Sequence, residues 1–340
     1  TAYDGDGNIE IKPRHHQIRY HSVSRELLVM MSMCLAKFGI PTSIQEEPGK
    51  KPSGEFRMIY VLRFPMGYVE KFNEHIGFFG EKKQSKLDEL IKSRNEGEMR
   101  GNQFIIPETE NIIKQVREHI SDASIRKEMA RVCRKKGVSL KMLTRIKEQA
   151  VEHNAPKNLI DELEQAIKAD VFWDTITHLE IEKDSKEMVY DFTVNEELQS
   201  FALDNLLVVH NTLNSVTYDT DILVRNKNKE IQSIQIGDFV EKNIKKNPEK
   251  TQYYDEKDTT WTPILSNEYF EVPSVDENGV MGWKMIEAVT QHPVVNEDGS
   301  DVLLKITTKG KRSVTATKAK SFLQLIDGKV QEASGDNLKI

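Results

Sequence analysis

The sequence predicts a mixed protein in which an α/β unit and a helical segment precede an all-β portion. Residues 1–105 combine strand-like segments with an amphipathic helix, and residues 106–170 carry four stretches with apolar residues at helical spacing. From residue 171 onward, short apolar runs alternate with turn signals, which is typical of an all-β domain. At about 150 residues per domain, a chain of 340 residues is long enough for two or three such units.

The first unit is expected to run strand, strand, helix, strand, helix. Apolar residues three and four apart in SRELLVMMSMCLAKFGI predict its first long helix, and Ser24 is placed to cap the N-terminus of that helix. β-branched and aromatic residues predict strands in GNIEI, HQIRYHSV and EFRMIYVLRF.

The helical segment is expected to form four helices joined by short turns. Gly137-Val138 and Asn154-Ala155-Pro156 supply the turn residues. Lys and Arg outnumber Asp and Glu between residues 112 and 147, so this segment has local basic surface, which is compatible with nucleic-acid contact. The helices are predicted in ENIIKQVREHI, SIRKEMARVCRKKG, SLKMLTRIKEQAVEH and PKNLIDELEQAIKAD. In the all-β portion, EKNIKKNPEK is predicted to be a polar loop.

The composition excludes several classes of protein. The chain has 48 Lys and Arg against 54 Asp and Glu, with 38% hydrophobic residues, which is neither a disordered nor a membrane composition. The start TAYDGDGNIE lacks a signal-peptide pattern and no apolar run approaches the roughly 20 residues of a bilayer span, so we expect a cytoplasmic or nuclear location and no membrane partner. Cys34 and Cys133 are too few for a disulfide framework or a cysteine zinc site, and we expect both to be buried small hydrophobes.

The sequence HNTLNS in the all-β portion brings together residues that can rearrange peptide bonds. The hydroxyl of Ser215 can attack the preceding carbonyl, that of Asn214, and convert the amide into an ester. Thr212 offers a second hydroxyl that can take over the acyl group. The side chain of Asn211 can attack its own carbonyl and break the Asn211–Thr212 bond, with His210 as the proton donor. Taken alone, His-Asn-Thr is also an ordinary polar turn after a strand.

The residues around HNTLNS resemble the two ends of an intein. VYDFTV…FALDNLLVVHN, followed by Thr, is similar to the C-terminal splicing motif, and SVTYDTDILVRN…IQIGDFV is similar to the N-terminal one. The resemblance implies a Hint-type (hedgehog/intein) horseshoe domain with a C-terminal half in residues 171–211, an N-terminal half in residues 215–340 and a residual linker in residues 212–214.

The two halves stand in the reverse of the usual order, which indicates a circular permutant or a cyclisation precursor. The implied activity is autocatalytic, needs no cofactor and acts on the chain's own Asn214–Ser215 and Asn211–Thr212 bonds. Complete splicing would close a ring of three residues, which is strained. We therefore expect the acyl shift or cleavage at Asn211 rather than a spliced product.

The same resemblance assigns roles to three further residues. In SVTATKAKSFL, Thr315 matches a motif threonine, and Lys318 stands where the family has a histidine three residues later. A lysine cannot replace neutral imidazole in proton transfer near pH 7 without a large pKa shift, so we expect a slow first step. Asp191 in VYDFTV matches an acid that positions the reacting groups, although a turn residue at a strand end also fits.

The N-terminal TAYDGDGNIEI resembles the end of the motif of LAGLIDADG homing endonucleases. The resemblance implies an α/β module over residues 1–105, double-stranded DNA as a partner, and Mg²⁺ held by one acid from each of two motif helices. Asp6 matches that acid and is the expected endonuclease residue and metal ligand. Asp-Gly-Asp-Gly alone also suits a tight turn or part of a calcium loop. No second motif is found, so we expect DNA cleavage to be absent or slow unless two chains pair.

The stretch SIRKEMARVCRKKGVSLKMLTRIKEQ resembles the helix-turn-helix-like insert of some inteins. That resemblance implies that Lys141, Arg145 and Lys147 face a groove or phosphates of DNA. An ordinary helical hairpin with a solvated basic face explains the stretch equally well. Two alternatives to self-processing stay open: a DNA-binding or DNA-cleaving homing endonuclease fragment with an inert splicing domain, and a folded but unreactive precursor.

Overall fold

Helices and sheets occur in both halves of the chain, which confirms the predicted mixed α/β class. The chain divides into two units, residues 1–104 with 310–312 and residues 105–309 with 313–340. The structure is a computed structural model and describes residues 2–12, 15–50, 54, 56–95, 105–134, 137–183, 187–195, 198–210, 215–255, 258–296, 299–318, 322–326 and 329–338.

The N-terminal unit contains an antiparallel sheet of four strands. Its elements are α1 (Ala2–Gly5), β1 (Gly7–Lys12), β2 (His15–Ser22), α2 (Arg25–Lys37), β3 (Ser43–Lys50), β4 (Phe56–Arg63), α3 (Val69–His75) and α4 (Glu81–Asn95). The strand order is β1-β2-β4-β3. Ser24 is the N-cap of α2, as predicted, because its hydroxyl accepts the N–H of Leu27 at 3.1 Å. The core includes Tyr3, whose ring packs edge-on against Tyr20 and Phe72.

Strand β3 does not appear in the sequence prediction. Its sequence SIQEEPGK is polar and contains Pro48 and Gly49, which are unfavourable in strands. The strand pairs with β4 alone and places Pro48 opposite Met58. It therefore lies at the edge of the sheet, where a residue without an N–H is tolerated.

The prediction that both cysteines are buried is wrong. Cys34 is exposed and Cys133 is half-buried. The buried face of α2 is formed by Leu28, Val29, Ser32 and Leu35, so Cys34 falls on the opposite side of the helix.

The helical segment forms the four predicted helices. Its elements are β5 (Ile105–Ile106), α5 (Glu110–His119), α6 (Ala123–Val132), β6 (Val138–Ser139), α7 (Leu140–Glu152) and α8 (Lys157–Lys168). Their apolar faces meet in a core of their own that includes Ile113, Leu143 and Leu163. Gly137 precedes β6 with φ +141°, and a Cβ there would lie 2.4 Å from the carbonyl oxygen of Ile106, so this turn requires glycine.

The remainder of the chain is built around one large sheet. Its elements are β7 (Ile176–Glu182), β8 (Met188–Val194), β9 (Ser200–Ala202), β10 (Val208–His210), β11 (Val216–Thr217), β12 (Asp221–Asn226), β13 (Ile231–Gln235), α9 (Ile236–Lys246), β14 (Gln252–Tyr254), β15 (Thr259–Pro263), β16 (Phe270–Val275), β17 (Met281–Pro293), β18 (Leu303–Thr308), β19 (Ser313–Thr317), β20 (Phe322–Ile326) and β21 (Lys329–Ala333). The main strand order is β13-β12-β16-β17-β8-β11-β19-β18-β7, with β15 joining β14 to β17. Strand β8 thus lies between β17 and β11, and β7 pairs with β18.

Helix α9 corrects the all-β prediction and the predicted loop in EKNIKKNPEK. Ile236, Phe239, Val240 and Asn243 are buried along one face of the helix. That spacing of three, four and seven residues is the helical period, but its polar C-terminal half resembles a loop in sequence. Phe239 packs edge-on against Phe192 of β8, which places the helix against the sheet.

Within the described residues, none of the helices combines the length and the apolar character needed to cross a bilayer.

Candidate functional site

Ser215 lies at the entry to β11, inside the large sheet. The next residue, Val216, pairs with Tyr190 of β8 on one side and with Ala316 of β19 on the other. The N–H of Ser215 donates to Thr317 Oγ1 at 3.1 Å, and the N–H of Thr317 donates to the carbonyl oxygen of Ser215 at 2.9 Å. Ser215 is fully buried. A side-chain hydroxyl therefore holds the nitrogen of the peptide bond that precedes Ser215.

The hydroxyl of Ser215 faces a histidine from a third strand. Ser215 Oγ lies 2.8 Å from Nε2 of His292, which is fully buried near the end of β17. The other ring nitrogen, Nδ1, lies 2.7 Å from the carbonyl oxygen of Pro293. Because a carbonyl only accepts hydrogen bonds, Nδ1 carries a proton, and in the neutral ring Nε2 then accepts the hydroxyl of Ser215.

Sequence reasoning missed both His292 and Thr317. The sequence of β17 did contain a signal for His292. Thr290 and His292 are two polar residues two positions apart, so both point to the same side of the predicted strand. Both are buried, and buried polar side chains need hydrogen-bond partners in the fold. The pairing of His292 with Ser215, 77 positions away, depends on the order of strands in the sheet.

Asp191 lies in the middle of β8, opposite Thr290 of β17. Tyr190, next to Asp191 in the chain, pairs with Val216, the residue after Ser215, so Asp191 and Ser215 both neighbour this pair. The carboxyl oxygen Oδ1 of Asp191 accepts the N–H of Phe192 at 2.8 Å. Burial raises the pKa of Asp191 well above its ordinary value, and the hydrogen bond from Phe192 opposes that shift only in part. This position excludes the turn interpretation, while the catalytic role stays a prediction.

Thr315 and Lys318 flank the residue that contacts Ser215. Thr315 lies two positions earlier in β19, opposite Lys305 of β18, whereas Thr317 makes the hydrogen bonds to Ser215. The sequence SVTATKAK offers two threonines two residues apart, and only the register of β19 against β11 separates them. The third position after Thr317 is residue 320, which lies outside the described residues.

The backbone directly after β19 is fixed from two sides. Asn296 Oδ1 accepts the N–H of Lys318 at 2.9 Å, and the Asn296 amide nitrogen donates to the carbonyl of Val302 at 2.9 Å. The N–H of Gly335 donates to the carbonyl of Lys318 at 2.7 Å. A Cβ on Gly335 would lie 2.6 Å from that same oxygen, so the close approach requires glycine. These contacts hold Thr317 in place.

His210 ends β10 and is buried. It pairs with Ser200 of β9, and its Nε2 lies 3.7 Å from Glu332 Oε2 of β21. The predicted residues Asn211 and Thr212, and Asn214 with the bond to Ser215, fall outside the described residues. Their roles stay predictions.

In the N-terminal unit, Asp6 follows α1 and is exposed, with Oδ2 3.5 Å from the hydroxyl of Tyr20. Asp4 accepts the N–H groups of Phe79 and Gly80 at 2.8 and 2.9 Å, directly before α4. Asp4 therefore ties α1 to the start of α4.

The residues near Asp6 do not complete a metal site. Among the described residues, no group of three or more His, Cys, Asp and Glu side chains is placed to hold a metal ion. Asp6 supplies one carboxylate, and Asp4 is engaged by two backbone N–H groups. The role of Asp6 as a Mg²⁺ ligand therefore stays a prediction.

The three predicted DNA-contacting residues lie on α7. Lys141 is exposed in its first turn. Arg145 pairs with Glu128 of α6 at 2.9 Å, and Lys147 pairs with Glu164 of α8 at 3.2 Å. The charges of Arg145 and Lys147 are thus partly balanced within the helical segment.

Comparison with known proteins identifies one domain and two partial likenesses. The chain is 31% identical over 221 residues to DNA-directed RNA polymerase subunit Rpo1C of Methanocaldococcus jannaschii, covering 64% of this chain and 24% of that protein. It is 30% identical over 105 residues to the ATP-dependent DNA helicase Hel308 of the same organism, covering 28% of this chain and 9% of that protein. The chain thus spans a quarter or less of the length of these relatives. Residues 1–77 match the family model of the LAGLIDADG-like domain, so the N-terminal part of this chain holds a LAGLIDADG-like domain.

Proposed function

We propose that this chain is an intein-type self-processing protein with its two splicing halves in permuted order. The observation that carries the proposal is the setting of Ser215, whose amide nitrogen is hydrogen-bonded to Thr317 Oγ1 in a fully buried site. In an N–O acyl shift that nitrogen is the leaving group, and the hydroxyl of the same residue is the nucleophile. A hydroxyl partner at the nitrogen can stabilise the amine as it forms.

The proposed reaction has three steps. Ser215 Oγ bonds to the carbonyl carbon of Asn214 as the carbon–nitrogen bond breaks, and the hydroxyl proton ends on the nitrogen. Thr212 then takes over the acyl group by transesterification. Asn211 cyclises and breaks its bond to Thr212, with His210 polarising the carbonyl. Because three residues join the two bonds, we expect ester and cleavage products and little ligated product.

The topology of the large sheet supports a Hint-type domain built from both halves. Strands β7 and β8 come from residues 171–211, and their neighbours β18, β17 and β11 come from residues 215–340. Neither half forms this sheet alone, because β8 fills the position between β17 and β11. Such interleaving is what two halves of one domain require.

The likenesses to Rpo1C and Hel308 also support the proposal. One of those proteins is an RNA polymerase subunit and the other a DNA helicase, and this chain covers 24% of the first and 9% of the second. An element inserted into unrelated hosts explains a partial likeness to both. A piece of either enzyme explains only one of them.

Intact mass spectrometry of the full chain, with and without hydroxylamine, tests the proposal. We expect fragments that begin at Ser215 or end at Asn211, and complete loss of both in the double variant Ser215→Ala with Asn211→Ala. Backbone cleavage that persists in the double variant contradicts the assignment.

The LAGLIDADG-like domain favours a second function, binding of duplex DNA, with the helical segment as an added contact. Cleavage would require a second carboxylate and Mg²⁺, and pairing of two chains is the route that the single Asp6 leaves open.

For the DNA hypothesis, we expect the double variant Lys141→Ala with Arg145→Ala to weaken binding of duplex DNA about tenfold and to reduce its salt dependence by one or two phosphate contacts. A fluorescence-anisotropy titration at several salt concentrations measures both quantities. Lys168→Ala, on α8, is the matched control. Equal affinities of the wild type, the double variant and the control would show that the helical segment does not contact DNA.

A further inference from the structure

We propose that His292 is the general base for Ser215 and that the carbonyl of Pro293 selects the tautomer able to act. The assignment rests on the proposed function. It places the base on β17, away from the motif in which the family resemblance located a histidine and this chain has Lys318.

The geometry meets the requirements of a base. Nε2 of His292 and Oγ of Ser215 are 2.8 Å apart, which is within the 2.6–3.2 Å that direct proton transfer needs. The bond from Nδ1 to the Pro293 carbonyl, at 2.7 Å, fixes the proton on Nδ1 and turns the lone pair of Nε2 toward the hydroxyl. Both side chains are fully buried, so the ring is oriented without competing solvent.

The chemistry of the step also favours a histidine as the base. A serine hydroxyl is a weak nucleophile at its own pKa and needs a neighbouring base. A lysine at its ordinary pKa is an ammonium near pH 7 and has no lone pair to offer, whereas an imidazole that carries its proton on Nδ1 has a lone pair on Nε2. The backbone N–H of Lys318 donates to Asn296, and its carbonyl accepts the N–H of Gly335.

The step balances without a further reactant. Nε2 takes the proton of Ser215 as Oγ bonds to the carbonyl carbon of residue 214. The carbon–nitrogen bond then breaks, and the imidazolium gives its proton to the departing nitrogen, whose hydrogen-bond partner is Thr317 Oγ1. One amide and one hydroxyl become one ester and one amine, and His292 returns to its neutral form.

His292→Gln is the first test, because a glutamine oxygen can accept the hydroxyl of Ser215 but cannot hold its proton at neutral pH. We expect the rate of hydroxylamine-sensitive cleavage before Ser215 to fall by a factor of about 10² to 10⁴, the usual contribution of a general base. If the step needs a base, the wild-type rate should rise with pH to a plateau, and the variant should lack that rise. Asp191 is a second titratable group near the site, because it lies opposite Thr290, two residues before His292 in β17. A rise in rate with pH is therefore assigned to His292 only if it is lost in His292→Gln. His178→Gln, an exposed histidine on β7, should leave the rate unchanged.

Changing the nucleophile distinguishes a role of His292 as a base from a purely structural hydrogen bond to Ser215. A thiol loses its proton near pH 8.5 and needs less help from a base than a hydroxyl does. We therefore expect His292→Gln to cost at least tenfold less in a Ser215→Cys background than in the wild type. Equal losses in the two backgrounds overturn the role of His292 as a base.

The outcomes distinguish the two proposals. A wild-type chain with no Ser215-dependent cleavage overturns the proposed function itself. Wild-type cleavage that His292→Gln leaves unchanged overturns only the assignment of His292. Cleavage at Asn211 and tryptophan fluorescence report whether the variant is folded. If it is not, a wild-type rate that does not rise with pH overturns the assignment.

Discussion

Asp191→Asn should make the second unit, residues 105–309 with 313–340, more stable at neutral pH. The stability of this unit should also fall much less as the pH rises than it does in the wild type. The side chain is buried in the middle of β8, and burial raises the pKa of its carboxyl well above the ordinary value. Asparagine has the same shape and is neutral at every pH. Its oxygen can still accept the N–H of Phe192, which Asp191 Oδ1 accepts at 2.8 Å.

The sign follows from proton linkage. Between the ordinary pKa of an aspartate, about 3.9, and the raised folded value, the folded protein holds a proton that the unfolded chain has released. The free energy of unfolding therefore falls by about 1.4 kcal/mol for each pH unit in that window. Below the window the carboxyl is protonated in both states and costs nothing further.

Urea unfolding followed by tryptophan fluorescence at a series of pH values measures this effect. Trp173, Trp261 and Trp283 all belong to the second unit, so the signal reports that unit. Asp255→Asn, at an exposed position beyond β14, is the matched control and should change stability by less than about 0.5 kcal/mol. A pH profile of Asp191→Asn parallel to that of the wild type would show that the carboxyl ionises in the folded protein. A gain in stability on removing an acid is the expected mark of a group retained for activity.

Most helices of this protein could be predicted from the sequence, because the apolar spacing that marks a helix lies within the helix itself. The four helices between Glu110 and Lys168 each bury an apolar face at a spacing of three and four residues. Helix α9 has the same spacing but follows directly on β13, and its second half is polar, so its period is easily missed. Edge strand β3 carries no period-two pattern at all, because β4 alone pairs with it.

The candidate site could be predicted only in part. Ser215 and His210 are predicted from motif spacing, which can be read along the chain. His292 and Thr317 contact Ser215 only in the folded sheet, since β17 and β19 reach Ser215 from separate parts of it. The choice of Thr317 over Thr315 depends on strand register, and a shift of two residues along one face leaves the alternation pattern unchanged.

Glu271→Ala should lower the free energy of unfolding of the second unit by about 3 kcal/mol, the low end of the range for breaking a buried ion pair by removing one partner. Glu271 Oε2 lies 2.7 Å from the guanidinium of Arg225 and 3.3 Å from Lys229, and Oε1 accepts the hydroxyl of Tyr269 at 2.9 Å. The side chain of Glu271 is 7% exposed and that of Arg225 is 18% exposed. Removing the carboxylate leaves the guanidinium against the ring of Trp283, 4.3 Å from its centre, without its partner.

The pH dependence of this loss provides an internal check. Burial raises the pKa of Glu271, but the hydrogen bonds from Arg225 and Tyr269 and the charge of Arg225 outweigh burial and leave the pKa below its ordinary value. A lowered folded pKa means that the stabilisation is fully present above the ordinary glutamate pKa of about 4.3 and is lost as the pH falls through the folded value. The difference between wild type and Glu271→Ala should therefore shrink in acid.

The matched control is an ion pair of the same charges in solvent. Glu277 pairs with Lys329 at 3.0 Å, and both side chains are about half exposed, at 51% and 52%. Because exposed pairs contribute about 0–1 kcal/mol, Glu277→Ala should change the unfolding free energy by no more than that. Urea unfolding of both variants at neutral and acid pH compares them directly. Equal losses in the two variants, or a loss at Glu271 that is independent of pH, would mean that packing around Trp283, rather than the carboxylate, joins β12, β16 and β17 at this end of the sheet.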